Sequence, residues 1–527
     1  MKTKYIAMAF LVCLLFGCES LDTPLVDRES DITFWDKPED ALAALNSCYP
    51  DLYGADQYIF NESLSDNAYT KSNNGSLVRD VANGSYGTSA NLVREVWNAR
   101  YAGIRRCNIL LGNINNVTGL SDELKERYSA EARAIRAYHY SILMNNFGDV
   151  PLVRSEISIE ASRTIARSPK AEVLQFILEE LDAVMVLPTT YGDPDKGRFT
   201  KGAAMALKAR VLLTENRWSE VAAICDAMIN RGEGGNLDLF GNYAGLFMPE
   251  NKDNIEVLLN VEFMPINREH GIQYYLIPPS LGGYAAISPT QELVDSYILL
   301  NGRTIADPSY NENSPYVNRD PRLDATIIRD GSQIQNANGT YTTIRTAPGT
   351  GTDAINNASN ATPTGYYVAK FYDRTARNML NSGSNLILIR YAEVLLMYAE
   401  AKAQLGQFGQ NEWDLTIRRL RTRAGFTDAN ALNYPSVGGA EMTEIIRRER
   451  RSELAMEGLR LMDLRRWRTA ETELNGWVHG MKTNEDAIDN GYVRIENRIF
   501  DPNKNYLWPI PQAERDLNKN LTQNPNW

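Results

Sequence analysis

The 527-residue sequence predicts a mainly α protein: a scaffold of helical hairpins with an inserted, irregular, loop-rich lobe that contains short strands. Three observations predict it. Apolar residues recur at three- and four-residue spacing over several long stretches, the helical period. Two of those stretches are alike, each a pair of helices around a tight turn. Between them, over residues 234–384, the period gives way to Asn, Gly, Pro, Thr and Tyr.

The clearest hairpin lies within residues 386–467. Ala392, Leu395, Leu396, Ala399 and Ala403 share one helical face, and Glu393, Glu400, Gln404 and Gln407 are expected on the opposite, wet face. Gly406 and Gly409 break the pattern. Asn411 is placed to cap a second helix carrying Trp413, Ile417, Leu420 and Ala424, which Gly425 closes. Residues 201–232 repeat the plan, with small residues lining the first helix and Trp218 opening the second. Each unit is about 33 residues long, close to the tetratricopeptide (TPR) period of ~34.

Earlier elements follow the same logic. A helix is expected over 38–53, with Ala41, Leu42, Leu45 and Tyr49 on one side. Residues 57–90 have weak periodicity and read as a long loop of the kind that carries function. Helices are expected over 92–114, from a Ser121 cap to about Phe147 with Gly148 and Pro151 as the stop, and over 169–187. In the middle lobe, 254–263 and 366–372 read as strands, 290–300 as a short helix, and 331–363 as an exposed loop or hairpin. After Gly425 a further helix pair, 440–456 and 459–468, carries IIRRERRSELAMEGLRLMDLRRW. Glu444, Glu449, Glu453, Glu457 and Asp463 interleave with its arginines, so ion pairing between packed helices is expected. The tail NYLWPIPQAERDLNKNLTQNPNW is expected to pack on the body.

Charge and composition narrow the function. The net charge of -11 and pI of about 5.1 argue against nucleic acid, which requires a basic surface. Three histidines set against 27 tyrosines argue against a metal site or a histidine-dependent enzyme. No cofactor motif is present.

The N-terminus points to export. Lys2 and Lys4 precede an apolar run over 6–16, too short for a bilayer that takes ~20 residues. It ends Leu15-Phe16-Gly17-Cys18, which is similar to a bacterial lipobox. Residues 1–17 are then a signal peptide, Cys18 the lipidated first residue, and 18–30 a tether to a membrane surface. Cys48, Cys107 and Cys225 have no metal spacing and are expected as buried thiols, with at most one disulfide.

Taken in order, EARAIRAYHYSILMNNFGDVPLV, GRFTKGAAMALKARVLL, SPTQELVDSY, NRDPRLDATIIRDG, TGYYVAKFYD, LIRYAEVLLMYAEAKAQLG, RRERRSELAMEGLRLMDLRRW and YLWPIPQAERDLNKNLTQNP resemble the SusD/RagB family of surface nutrient-binding lipoproteins of Bacteroidetes. The resemblance covers nearly all of the mature chain. It implies about four TPR-like helix pairs, a ligand site in the loop-rich lobe, and a SusC-like TonB-dependent transporter beneath the lipoprotein. It implies one unit over 18–527, built of a helical region 31–233, the lobe 234–384, helix pairs 385–470 and the tail 471–527. It also implies a glycan ligand, or in some members a peptide.

A glycan site needs flat rings for the CH faces of the sugar and polar groups for its hydroxyls. Residues 64–90 offer Asp66, Tyr69, Arg79, Asn83 and Tyr86. Residues 267–286 offer Gln273, Tyr274, Tyr275 and Tyr284. Tyr310 and Tyr316 are further candidates. The expected function is non-enzymatic capture of oligo- or polysaccharide at the outer-membrane surface. The alternatives are a peptide-binding member, a two-carboxylate glycoside hydrolase for which no motif is present, and a TPR adaptor.

Overall fold

The computed structural model describes residues 34–71, 76–376, 380–483 and 488–527. Cys18, the signal peptide and the tether lie outside the described residues. Helix α1 (Pro38–Cys48) starts at a proline in the first turn and buries Ala41, Leu45 and Cys48. Its face lies against α2 (Asn91–Asn113) and α3 (Asp122–Phe147), which form the first antiparallel pair. Ser121 caps α3 by accepting the Leu124 N–H at 3.3 Å, and Gly148 ends it with φ 72°. The two helices approach closely at Gly103. A Cβ there would lie 2.1 Å from His139 Nε2, so only glycine fits. Burial, with Arg100 beside it, pushes the His139 pKa down and keeps the imidazole neutral.

The pairing continues along the chain. α4 (Lys170–Ala183) lies on α3, α5 (Lys201–Thr214) pairs with α6 (Trp218–Asn230), and α6 packs on α7 (Tyr391–Gln404). Thr200 caps α5 through the Ala203 N–H. α7 in turn packs on α8 (Gly439–Glu453), which leads into α9 (Arg460–Trp467). This is the TPR-like helical fold, and one hydrophobic core runs through it from Ala41 to Leu521.

The strands are short and form two-stranded antiparallel pairs. β1 (Ala68–Thr70) pairs with β3 (Ile287–Pro289), Tyr69 opposite Ser288. β2 (Val257–Val261) pairs with β4 (Leu386–Arg390), fastening the middle lobe to the start of α7. Gln333–Gln335 and Tyr341–Thr343 make the hairpin expected within 331–363, and Gly476–Lys482 pairs with Tyr492–Arg498. Cys48, Cys107 and Cys225 are buried free thiols. Among the described residues, no helix is long and apolar enough to cross a membrane.

Three local expectations are corrected. Glu393 and Glu400 do not face water. Both are 1% exposed. Arg210 donates to Glu393 at 2.9 Å, and Arg466 and Trp467 donate to Glu400. Helical spacing shows which residues share a face, but α7 is covered on all sides as far as Ala401, so its carboxylates are buried with arginines brought from other helices, and only Gln404 beyond them is exposed. Asn411 is not the cap. The helix starts at Gln410, with the Gly409 N–H held by Glu412 at 3.0 Å, and it breaks at Thr416, whose hydroxyl donates to the Glu412 carbonyl. Residues 57–90 are not one long loop, since they include the end of the helix Ala55–Phe60, β1 and the helix Ser76–Asn83.

The arginine-rich stretch forms an ionic core between the lobe and the C-terminal helices. Glu453 accepts from Arg390 at 2.6 Å, from Arg322 at 3.0 Å and from Arg423. Arg390 also binds Glu256 and Glu457 at 2.7 Å, while Arg322 binds Asp320 and Glu449 at 2.8 and 2.7 Å. Lys370 joins through Glu457 at 2.6 Å. Desolvation opposes the Glu453 charge, but its three arginines win and hold its pKa well below the usual carboxylate range.

Candidate functional site

The nine predicted ligand residues do not meet at one place. Asp66 is buried, and its oxygens are taken by Arg460 at 2.8 Å and Arg451 at 2.9 Å. Burial works against that charge, yet the two arginines hold its pKa far below normal. Gln273 is 1% exposed and clamps the Asp373 backbone, donating to its carbonyl at 3.1 Å and accepting from its N–H at 2.7 Å. Tyr86 packs its ring 4.8 Å from that of Trp527 and accepts from Asn505 at 3.2 Å, which ties the chain terminus to the body. Tyr69 is buried beneath the Arg79 guanidinium, 5.7 Å from the ring centre. Arg79 binds Glu496 at 2.8 Å, and Asn83 reaches the same carboxylate at 3.5 Å. These residues bind segments of the chain to one another.

Tyr274, Tyr275 and Tyr284 form a cluster of a different kind. Tyr274 lies in the helical turn Ile272–Tyr275, and Tyr284 follows the reversal at Gly282, where φ is 89°. At Gly283 a Cβ would stand 2.0 Å from the Ile277 carbonyl oxygen, so the loop closes only on glycine. The Tyr284 N–H then donates to the Tyr274 carbonyl at 2.7 Å. That bond sets the two rings in a stack, 5.7 Å between centres and 11° between planes. Tyr275 turns inward and meets Phe60 edge-on at 5.4 Å, while Tyr274 remains 39% exposed. The pair is an aromatic shelf on the lobe.

Lys71, absent from the predicted set, completes the cluster. The pairing of β1 with β3 carries it there, because its N–H donates to the Ala286 carbonyl at 3.1 Å, two residues past Tyr284. Its ammonium lies 5.2 Å from the Tyr284 ring centre and donates to the Ala361 carbonyl. Partial burial lowers its pKa to about 8. The sequence contained a signal for it: Lys71 directly follows β1, two residues from the predicted Tyr69. Only the strand pairing shows which ring it faces. Of the further candidates, Tyr310 lies under Arg319, and Tyr316 shares a hydrogen bond with the buried Tyr366. The shelf offers a flat π-face, phenol hydroxyls and a cation. That set suits a ligand with apolar CH faces and hydroxyls. Among the described residues no cluster of His, Cys, Asp or Glu could hold a metal ion.

Comparison with known proteins joins these observations. A family model described as the SusD family matches residues 260–527, and one described as starch-binding associating with outer membrane matches residues 26–213. SusD-like protein P25 of Formosa agariphila is 26% identical over 495 residues, covering 88% of this chain and 89% of its own. The starch-binding protein SusD of Bacteroides thetaiotaomicron is 23% identical over 451 residues, covering 79% and 75%. Among solved structures, a SusD-like carbohydrate-binding protein from Bacteroides fragilis superposes with a TM-score of 0.85 at 28% identity, over 93% of this chain and 100% of that one. A laminarin-binding SusD-like protein superposes with a TM-score of 0.71 at 25% identity, over 94% and 100%. The matches take in both the helical scaffold and the lobe that carries the tyrosine shelf, and the chain belongs to the SusD family.

Proposed function

We propose that the protein is a non-enzymatic, lipid-anchored surface protein that captures an oligo- or polysaccharide and delivers it to a SusC-like TonB-dependent transporter in the outer membrane. The observation that carries the capture step is the Tyr274–Tyr284 stack, with Tyr274 39% exposed and the Lys71 ammonium beside it. A pyranose ring lies on such a face through its CH groups, while the phenols and the ammonium take its hydroxyls. Starch-binding and laminarin-binding relatives support a glycan as the ligand class. The outer-membrane wording of the second matching family model supports the location. The lipobox-like Leu15-Phe16-Gly17-Cys18 supports anchoring through Cys18.

The deciding experiment is retention of the chain on a panel of plant, fungal and host polysaccharides, with peptide pools alongside. Retention on one glycan class without its breakdown is the expected result. Binding to peptides alone would replace the glycan with a peptide. Release of reducing ends would overturn the non-enzymatic assignment. Two further arms test the remaining parts. Cys18→Ala should move the protein out of the membrane fraction, and the native protein should co-purify with a β-barrel transporter.

A further inference from the structure

A second concave site lies away from the shelf, between the helical scaffold and the C-terminal segment. It is a cavity of about 570 Å³. That is the size of a small-molecule pocket. Its walls come from α2, α3, α9 and the stretch 502–508. Its charge is one-sided. The two carboxylates in the lining are both engaged: Glu215 by Lys170 at 2.7 Å, and Glu457 by Lys370 and Arg390. Two of the lining arginines are neutralised, Arg210 by Glu393 and Arg466 by Glu400. Among the described residues, the remaining cations of the wall, Arg100, Arg465, Arg468 and Lys504, have no carboxylate within ion-pair distance.

Arg100 and Arg465 make this imbalance costly. Arg100 is 2% exposed; it donates to the Leu52 carbonyl at 2.8 Å and, at 3.4 Å, to Nδ1 of the neutral His139 ring, and it lies 5.9 Å from the Tyr53 ring centre. Arg465 donates to the Asn146 side chain at 3.1 Å and the Asn505 carbonyl at 3.3 Å. Among the described residues, the Nε–H groups of both, and the Trp508 indole N–H, are buried without an acceptor. Buried charges in proteins are paired, because an unpaired one costs several kcal/mol of desolvation. Elsewhere the chain compensates its buried charges more fully: Glu453 meets three arginines, and Arg319 and Arg498, which are buried without a carboxylate among the described residues, each donate to three backbone carbonyls. An excess of cation facing a cavity, in a protein of net charge -11, is the arrangement that receives an anion. The uncharged part of the wall is equally informative. Tyr506 supplies a partly exposed ring, with the buried Tyr58 and Trp508 behind the wall, and Gln57, Asn145 and Asn503 supply amides.

From this wall we infer that the cavity is a binding site for a carboxylated sugar unit, its carboxylate held by Arg465 and Arg468 and its ring set against Tyr506. Arg468 stands at the exposed rim with its guanidinium 4.1 Å from the Tyr506 ring centre, and Arg465 stacks 5.6 Å from Trp508. Each cation thus already lies over a ring of the wall.

The test is calorimetric titration of the intact chain in detergent with glucuronate, glucose and inorganic sulfate. Glucuronate is expected to bind at least about tenfold more tightly than glucose, and more weakly as salt rises. Arg465→Gln should reduce its affinity by about tenfold or more. Arg465→Lys should keep most of it. Arg468→Gln, on the rim, gives a second reading if Arg465→Gln fails to fold. The same titrations on Tyr274→Ala, which removes the shelf, isolate the cavity: the preference for glucuronate over glucose should persist there and be lost on adding Arg465→Gln. Absence of glucuronate binding, or equal binding of glucose, would overturn the proposal. So would sulfate displacing glucuronate at equal concentration, because the ring walls would then contribute nothing.

Discussion

The ionic core around Glu453 and the tyrosine shelf around Tyr274 are both polar clusters built from distant segments, and they differ in closure. At the core each strong charge meets its opposite. Glu453 is 0% exposed and is held by arginines from three segments. At the shelf the ring of Tyr274 turns one part toward water, and the neighbouring cation contacts a ring and a carbonyl. A closed cluster fixes the fold, because its groups have nothing left to offer a ligand. An open one keeps hydrogen-bonding capacity and apolar surface for something outside the chain.

Breaking the closed cluster gives the largest expected effect. Glu453→Ala leaves Arg322, Arg390 and Arg423 facing a void, and should cost about 3–5 kcal/mol of stability. Urea unfolding with a two-state fit measures it, and a loss below about 1 kcal/mol would show that the core rearranges to match its charges. The core also sets the acid limit. The folded-state pKa of Glu453 is depressed, so its contribution is complete above the unfolded value of about 4.3 and is lost as pH falls toward the folded one. Unfolding titrations at descending pH should therefore show little loss from this group down to about pH 5.

The open cluster should respond in binding and not in folding. Tyr274→Ala should weaken glycan binding by about 1–3 kcal/mol, the scale of ring stacking on aromatic side chains, with the urea midpoint unchanged. Tyr86→Ala should do the reverse, because its ring is packed on Trp527 and its hydroxyl is taken by Asn505. If Tyr86→Ala reduces binding at unchanged stability, the shelf is misplaced. The lysine supplies a pH arm. With its pKa lowered to about 8, Lys71 loses its charge as pH rises through that value. Glycan affinity measured at pH 7 and pH 9 should fall with it, and Lys71→Gln should remove that slope.

What the sequence made legible follows the same division. The helices were readable because local spacing records them: Ser121 caps α3 where a Ser precedes an amphipathic run, and Gly148 ends it. Ser121→Ala should cost about 1 kcal/mol, read from the same urea midpoint. The arginine-rich stretch was readable as ion pairing from its interleaved acids, though not its partners Arg322, Arg390 and Glu256, which lie far away in the chain. The tyrosines at 274 and 284 stood out by residue type and by the glycines between them. Asp66, Gln273 and Tyr86 carry the same residue types in similar loops, yet long-range packing gave them partners within the chain. Composition cannot separate a buried polar residue with a partner from an exposed one without. Glu393 and Glu400 make the same point on a helix, where the period was right and the burial was not.

His479 stands between the two extremes and gives the smallest expected effect. Its ring nitrogens meet Glu292 at 2.7 Å and Asp489 at 3.0 Å, and its side chain is 25% exposed. The hydrogen bond to Glu292, then that to Asp489, raises its pKa above the usual 6.5 against partial desolvation. The folded-state value thus exceeds the unfolded one. The stabilisation is complete below about pH 6.5 and disappears as pH rises through the folded value. Solvent screening at this half-open position keeps the contribution below about 1 kcal/mol. Urea midpoints at pH 5.5, 6.5 and 8.5 for the native chain and His479→Gln should converge at the highest pH and separate at the lowest. A constant gap across that range would mean that the imidazole acts by packing alone. A gap as large as that of Glu453→Ala would place His479 with the closed core.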